Sequence, residues 1–190
     1  AGVAATGEIW LKVPQTRLVQ LTGKLNDQVF AKDIILNLCG AYGMDMAEYQ
    51  ALEYSGPGIR SLSMQERMTL SNMSAELGAQ AGIIAPDDCT ADWLKLYAPE
   101  RQFVDDKPDS YWHSDVGSHS GHSYLVDLEQ LEPQVAAPHS PANSGPLKDH
   151  DGPKFTIAYI GACTGAKLAD LRAAAKILDG KKLSSGMRLL

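Results

Sequence analysis

The strongest constraint on the fold is an apolar segment that ends in a cysteine-containing turn and leads directly into a helical pattern. Residues 155–160 are mainly apolar, and residues 166–178 are rich in alanine and leucine. Cys163-Thr164-Gly165 lies between them, and residues 181–183 would begin another strand. A strand, a turn, a helix and a second strand in this order are typical of a parallel sheet covered by helices. The sequence therefore predicts an α/β fold, with parallel or mixed sheets.

The first hundred residues alternate in the same way. We predict strands over residues 8–14, 16–21, 49–54 and 82–85. Helices are predicted over residues 31–38, over residues 64–77, and after a Thr90 cap as far as residue 96. The helix that begins at residue 64 is the best defined. Ser63 and Glu66 have the spacing of a capping box, and Gly78 supplies a stop.

A change of composition divides the chain. Most of its prolines and histidines lie between residues 99 and 153, together with too many large apolar residues for a flexible linker. We therefore expect an α/β lobe over residues 1–100, an ordered crossover over 101–153, and the start of a second α/β lobe over 154–190. The histidine-rich stretch inside the crossover is interpreted as loop packing, because its serine and glycine background predicts turns.

Bulk properties exclude some classes of protein. A formal net charge of −6 argues against constitutive nucleic-acid binding, and no apolar run approaches the roughly 20 residues of a transmembrane helix. The three cysteines are far apart and lack C-x-x-C spacing, which favours a reduced cytoplasmic location, with the mitochondrial matrix as an alternative. Because the chain does not begin with methionine, we expect that it comes from within a longer one.

Two polar residues on one helix are candidate site residues. Asn72 and Glu76 are one turn apart, in an i, i+4 row that begins at Met64. An amide and a carboxylate on one face could hydrogen-bond a substrate hydroxyl and exchange a proton with it. The alternative is an ordinary solvent-facing pair.

Cys163 is the third candidate. A cysteine between a strand end and a helix N-terminus lies in a field that favours thiolate, the form that binds metals and attacks electrophiles. Ligands of open α/β sheets also bind at the carboxyl ends of strands. A metal ligand, a nucleophile and an inert buried thiol all remain possible on this evidence.

Several segments, in order along the chain, resemble one known superfamily. They are residues 7–14, 31–36, 53–56, 59–87, 131–134 and 161–175. Together they resemble the aconitase/isopropylmalate dehydratase superfamily, and within it the large, iron–sulfur subunits of 3-isopropylmalate dehydratase and homoaconitase. The resemblance implies two lobes of an aconitase-like α/β/α fold. It also implies a hydro-lyase of amino-acid biosynthesis that acts on a hydroxy di- or tricarboxylate, with a separate small subunit as a possible partner.

The resemblance also assigns roles to the candidate residues. In this superfamily three cysteines hold a [4Fe–4S] cluster, and Cys163 would be the first ligand. Asn72 and Glu76 match the amide and carboxylate beside the iron-bound hydroxyl. The other two ligands would follow residue 190, so the chain resembles a central fragment that is inactive alone. Gly165 and Lys167 depart from the usual pattern, in which asparagine follows Cys-Thr. The alternative is a truncated, cluster-free interaction or regulatory module.

Overall fold

The computed structural model of the chain describes residues 2–100, 112–119, 122–150, 152 and 155–190. Its helices are α1 (Gly2–Thr6), α2 (Ala31–Tyr42), α3 (Met64–Met73), α4 (Asp88–Tyr97) and α5 (Leu168–Leu178). Its strands are β1 (Thr16–Thr22), β2 (Ala51–Ser55), β3 (Ala81–Ile84), β4 (Ser123–Asp127), β5 (Gln134–Ala136), β6 (Ser144–Pro146), β7 (Ile157–Ala158) and β8 (Arg188–Leu189). No helix of the described residues is both long and apolar enough to cross a membrane.

A four-stranded parallel sheet organises the first part of the chain. Its strand order is β3-β2-β1-β4, and each neighbouring pair is parallel. Two smaller sheets follow along the chain, an antiparallel pair of β5 with β6 and a parallel pair of β7 with β8. Parallel neighbours need crossover connections, and α2 and α3 supply them on either side of β2. The predicted α/β class is confirmed.

The main core fills one face of the four-stranded sheet. Side chains of β1 and β2 alternate, so that every second one meets α2 and α3. The least accessible of these core residues are Val19, Leu21, Ile34, Ile35, Leu38, Leu52, Tyr54, Leu70 and Leu77. Cys39 of α2 is also fully buried, as expected for a small apolar residue, and burial raises the pKa of its thiol to about 11.

The opposite face of the same sheet is only partly covered by the described residues. Ile83 and Leu125 on this face remain 49% and 65% exposed. Between them, residues 112–119 lie over the buried carboxylate of Glu53. The Ser114 hydroxyl donates to Glu53 Oε2 at 2.5 Å, and His119 Nε2 lies 2.9 Å from the same oxygen without hydrogen-bond geometry. The histidine-rich loop therefore packs its polar side chains against a strand carboxylate.

The residues after β4 return over α2. The hairpin of β5 and β6 packs against this helix, and the backbone N–H of Gln134 donates to Asp33 Oδ1 at 2.7 Å. Burial is the main cause that raises the pKa of the Asp33 carboxyl. Residues 101–111 of the expected crossover lie outside the described part of the chain, whereas its described part contacts the first lobe. The division into two lobes stays a prediction.

Two predicted strands are wrong. Residues 8–14 form no strand, and Trp10 is 85% exposed, because no strand of the described residues pairs with this segment. Residues 181–183 form neither helix nor strand, because the chain leaves α5 through a turn at Gly180, where φ is +67°. The partner of β7 is β8, five residues beyond the expected strand.

An ion pair joins the start of α4 to α3. Asp87, rather than the expected Thr90, is the N-cap of α4 and accepts from the Thr90 backbone N–H. Its two carboxylate oxygens also bind the two terminal nitrogens of Arg67, at 2.5 and 2.8 Å. Arg67 is only 2% exposed and donates further to the Leu62 carbonyl. This hydrogen-bonded pairing lowers the pKa of Asp87 below its ordinary value of 3.8.

Replacing Asp87 by asparagine should lower the free energy of unfolding near neutral pH by about 2–4 kcal/mol. Asparagine can still cap α4, so the lost stability measures the cost of leaving the buried charge of Arg67 without an opposite charge. The pKa of Asp87 is lower in the folded protein than its ordinary value of 3.8. The ionised carboxylate therefore stabilises the fold fully at pH values above 3.8, and this stabilisation disappears as the pH falls through the folded-state pKa. Urea unfolding of both proteins at about pH 7 and about pH 2 measures this.

The control for this prediction is Asp92→Asn in the exposed pair with Lys95. We expect that variant to lose less than about 1 kcal/mol, as exposed ion pairs contribute little. An Asp87→Asn deficit equal to that of Asp92→Asn, or one that persists undiminished at about pH 2, would contradict the account.

Candidate functional site

The turn between β7 and α5 brings Cys163 to α3. This turn, residues 161–167, is called the cysteine turn below. Cys163 Sγ lies 3.7 Å from Asn72 Oδ1, so that the thiol donates to the amide oxygen across 91 residues of sequence. Both residues are exposed. The structure therefore brings together two of the three candidate site residues.

The backbone of the cysteine turn is tight. Ala162 has φ of +67°, in the left-handed region that non-glycine residues seldom adopt. The Gly165 N–H donates to the Ala162 carbonyl at 3.3 Å, and a Cβ at Gly165 would lie 2.7 Å from the Gly161 carbonyl oxygen. No side chain fits at that distance. The glycine that departs from the superfamily pattern is thus required by the close approach of two backbone segments.

Two further contacts join the cysteine turn and α5 to the same face of α3. Lys167 Nζ donates to Thr69 Oγ1 at 2.6 Å, and the backbone N–H of Ala169 donates to Gln65 Oε1 at 3.3 Å. Residues 65, 69 and 72 are spaced i, i+4 and i+7, within about 60° of one another on an α-helix. They form one polar stripe that meets positions 169, 167 and 163 in reverse order.

The helix after the turn begins later than expected. α5 starts at Leu168 instead of residue 166, and the Asp170 carboxylate accepts from the Lys167 backbone N–H at 3.0 Å. The field of a helix dipole is strongest within the first turn, where Asp170 already lies. The helix field expected at Cys163 is therefore weaker than the sequence argument required, and the contact with Asn72 becomes the stronger geometric observation.

Glu76 is not on the α-helix itself. α3 ends at Met73, and Ser74–Leu77 forms a 3₁₀ turn. The Ser74 hydroxyl donates to the Leu70 carbonyl at 2.8 Å and accepts from the Tyr54 hydroxyl at 2.8 Å. A serine that bonds to the carbonyl four residues earlier is known to disturb helix geometry. The expected continuous helix to residue 77 is wrong because Ser74 forms these contacts.

Glu76 also has an unsatisfied atom. Its Oε2 is buried and accepts no hydrogen bond from the described residues. The Glu76 carboxylate lies near Cys39 of α2. Burial is the main cause that raises the pKa of the Cys39 thiol, and the negative charge of Glu76 is the second. A buried carboxylate oxygen without a donor is costly, so it points to a polar group that completes the site.

Sequence reasoning missed three residues of this site. The predicted row of residues 64, 68, 72 and 76 spreads over about 120° around the helix axis. The observed stripe starts at Gln65 and includes Thr69, and the narrower i, i+4, i+7 spacing was the available signal. Lys167 departs from the superfamily pattern, but no local pattern reveals its contact with α3.

The described residues hold no group of three or more histidine, cysteine, aspartate and glutamate side chains suited to a metal ion. Cys89, the remaining thiol, lies 3.9 Å from the Leu62 carbonyl at the other end of α3. Cys163 is therefore a single potential metal ligand with an amide beside it.

Comparison with known proteins shows which family the sequence matches. A family model described as the aconitase family (aconitate hydratase) matches residues 1–156. The whole chain is 40% identical to the probable 3-isopropylmalate dehydratase large subunit of Methanosarcina mazei, covering 44% of that protein. It is 38% identical to the 3-isopropylmalate dehydratase large subunit 1 of Methanopyrus kandleri, again covering 44%. It is 37% identical to the methanogen homoaconitase large subunit of Methanocaldococcus jannaschii, covering 46%.

Proposed function

We propose, starting from the fact that this chain belongs to the aconitase family, that the complete protein is an iron–sulfur hydro-lyase. The chain spans less than half the length of the curated relatives it matches, so it contributes part of the site. The observation that carries the proposal is the contact of Cys163 Sγ with Asn72 Oδ1, which places the proposed metal ligand beside a hydrogen-bonding amide.

The proposed substrate is a hydroxy di- or tricarboxylate. Support comes from the relatives' names, which specify 3-isopropylmalate dehydratase and homoaconitase. The same names contain the words large subunit, which supports a separate small subunit as partner. Cysteines that are all free support a reducing, cytoplasmic location.

The residues at this site fit an iron–sulfur cluster in part. A cluster of this family needs three thiolates, and the exposed Cys163 would supply one of them. When bound, a [4Fe–4S] cluster supplies a Lewis-acidic iron for the hydroxyl and carboxylate of the substrate. Fully buried Cys39 has no access to such a group, so the two other ligands would come from residues beyond this chain.

The two polar residues would then divide the remaining work. Asn72, whose amide oxygen faces the thiol, would orient the substrate hydroxyl through its amide nitrogen. Glu76, with an unsatisfied oxygen, would donate a proton to the departing hydroxyl and remove a proton from water in the reverse direction. These roles use an exposed amide and a partly buried carboxylate, and neither residue needs to bind iron.

The 190-residue chain alone should hold no stable cluster. One thiolate cannot replace three, and Cys39 and Cys89 lie in separate packing elements. Anaerobic reconstitution with iron and sulfide, in parallel with the complete protein, tests this. Near-stoichiometric cluster on the isolated chain would contradict the ligand assignment, while cluster on neither protein would favour the cluster-free module.

In the complete protein, Cys163→Ser should abolish activity by destabilising the cluster. A hydroxyl is a poor ligand for iron–sulfur clusters compared with a thiolate, so iron content and visible absorbance should both fall. Cys89→Ser is the matched control and should retain both. Normal turnover and absorbance in Cys163→Ser would refute the assignment.

Replacing Glu76 by glutamine should lower kcat about 10²–10⁴-fold while leaving the cluster in place. The amide preserves size and hydrogen-bonding capacity but removes the exchangeable carboxyl proton, and general acid–base groups typically contribute this factor. Kinetics, melting temperature and cluster absorbance on one preparation separate lost chemistry from lost structure.

The control for this variant is Glu129→Gln, an exposed carboxylate of the same chain. It should leave kcat within about twofold. A Glu76→Gln enzyme with nearly normal kcat would return Glu76 to a structural role.

A further inference from the structure

We propose that Lys167 is a positioning residue, whose contact with Thr69 sets the distance between Cys163 and Asn72. The functional importance of this contact rests on the proposed function, because the position of Cys163 matters to catalysis only if Cys163 binds the cluster. Its geometry stands on the contacts between the cysteine turn and α3.

The bond from Lys167 to Thr69 is unusual for a lysine. Its ammonium is partly buried and donates to a hydroxyl at 2.6 Å, and among the described residues it has no carboxylate partner. Taking an ammonium group out of water without an opposite charge costs free energy. Thr69 itself is 5% exposed and donates to the Gln65 carbonyl at 3.2 Å, which leaves its lone pairs for the lysine.

The cysteine turn can transmit this anchoring over four residues. Gly165 lies directly against the Gly161 carbonyl, and its N–H is bonded to Ala162. Such a tight backbone has little room to flex, so fixing Lys167 at one end restricts Cys163 near the other. The contact of Lys167 with Thr69 therefore restricts the position of Cys163 Sγ as well as that of α5.

The contact of Cys163 with Asn72 cannot fix the turn by itself. A thiol is a weak donor, and the 3.7 Å separation joins two exposed side chains. A hydrogen bond from a charged group is typically stronger than one between neutral groups. Of the contacts between the cysteine turn and α3, the one made by Lys167 is thus the strongest.

The position of Cys163 can be measured without any cluster. Asn72→Cys places a second thiol opposite Cys163, and oxidised glutathione can convert the two thiols to a disulfide while releasing two reduced glutathione molecules. The equilibrium between the two forms gives the effective concentration of one thiol near the other. Peptide mapping by mass spectrometry confirms which cysteines are joined, and melting temperature reports folding.

In this Asn72→Cys background, Lys167→Met should lower the effective concentration about tenfold, the loss of one charged hydrogen bond. Lys167→Arg should restore most of it, because a guanidinium can also donate to Thr69. Thr69→Val should reproduce the loss, and combining it with Lys167→Met should add little more, as expected for two partners of one contact.

The matched control is Lys176→Met, which removes an exposed lysine from the same helix, α5. It should leave the effective concentration unchanged. An unchanged value in both Lys167→Met and Thr69→Val, or an equal loss in Lys176→Met, would overturn the proposal. Because no cluster is involved, this result is independent of whether the complete protein proves to be an iron–sulfur enzyme.

Discussion

The polar stripe of α3 is the surface on which the candidate site depends. Its side chains at positions 65, 69 and 72 contact the cysteine turn and α5, and they join residues 91 to 104 positions apart in the sequence. The chain after residue 155 otherwise forms only a two-stranded sheet and an exposed helix. Without these contacts, Cys163 would have no defined position relative to Asn72.

The four-stranded sheet and α4 together hold α3 in place. Buried Arg67 connects it through Asp87 to α4, and the Tyr54 hydroxyl fixes the break at Ser74. A Cβ at Gly82 on β3 would lie 2.1 Å from Ser74 Oγ, so strand and helix approach as closely as glycine permits. The break in turn gives Glu76 a buried, unsatisfied carboxylate oxygen beside the core. Packing against the sheet thus leaves a carboxylate oxygen unsatisfied at a cost in stability, as the proposed role of Glu76 requires.

Sequence reasoning was reliable where structure is local. The capping box of Ser63 and Glu66 and the α/β alternation follow from spacing alone, and the structure confirms both. It failed where a partner was distant or absent, as for the exposed segment that contains Trp10. It also could not identify Lys167 as a site residue, because that contact spans 98 residues and leaves no periodic pattern. The proposed roles of Asn72, Glu76 and Cys163 came from the superfamily resemblance as much as from spacing.

An anaerobic crystal structure of the complete protein would test the central claim most directly. We expect Cys163 Sγ to be bonded to iron, with the Asn72 and Glu76 side chains facing the iron that has no cysteine ligand. We also expect Lys167 to remain bonded to Thr69 in that state. A cluster held entirely by other cysteines, with Cys163 still directed at Asn72 alone, would contradict it.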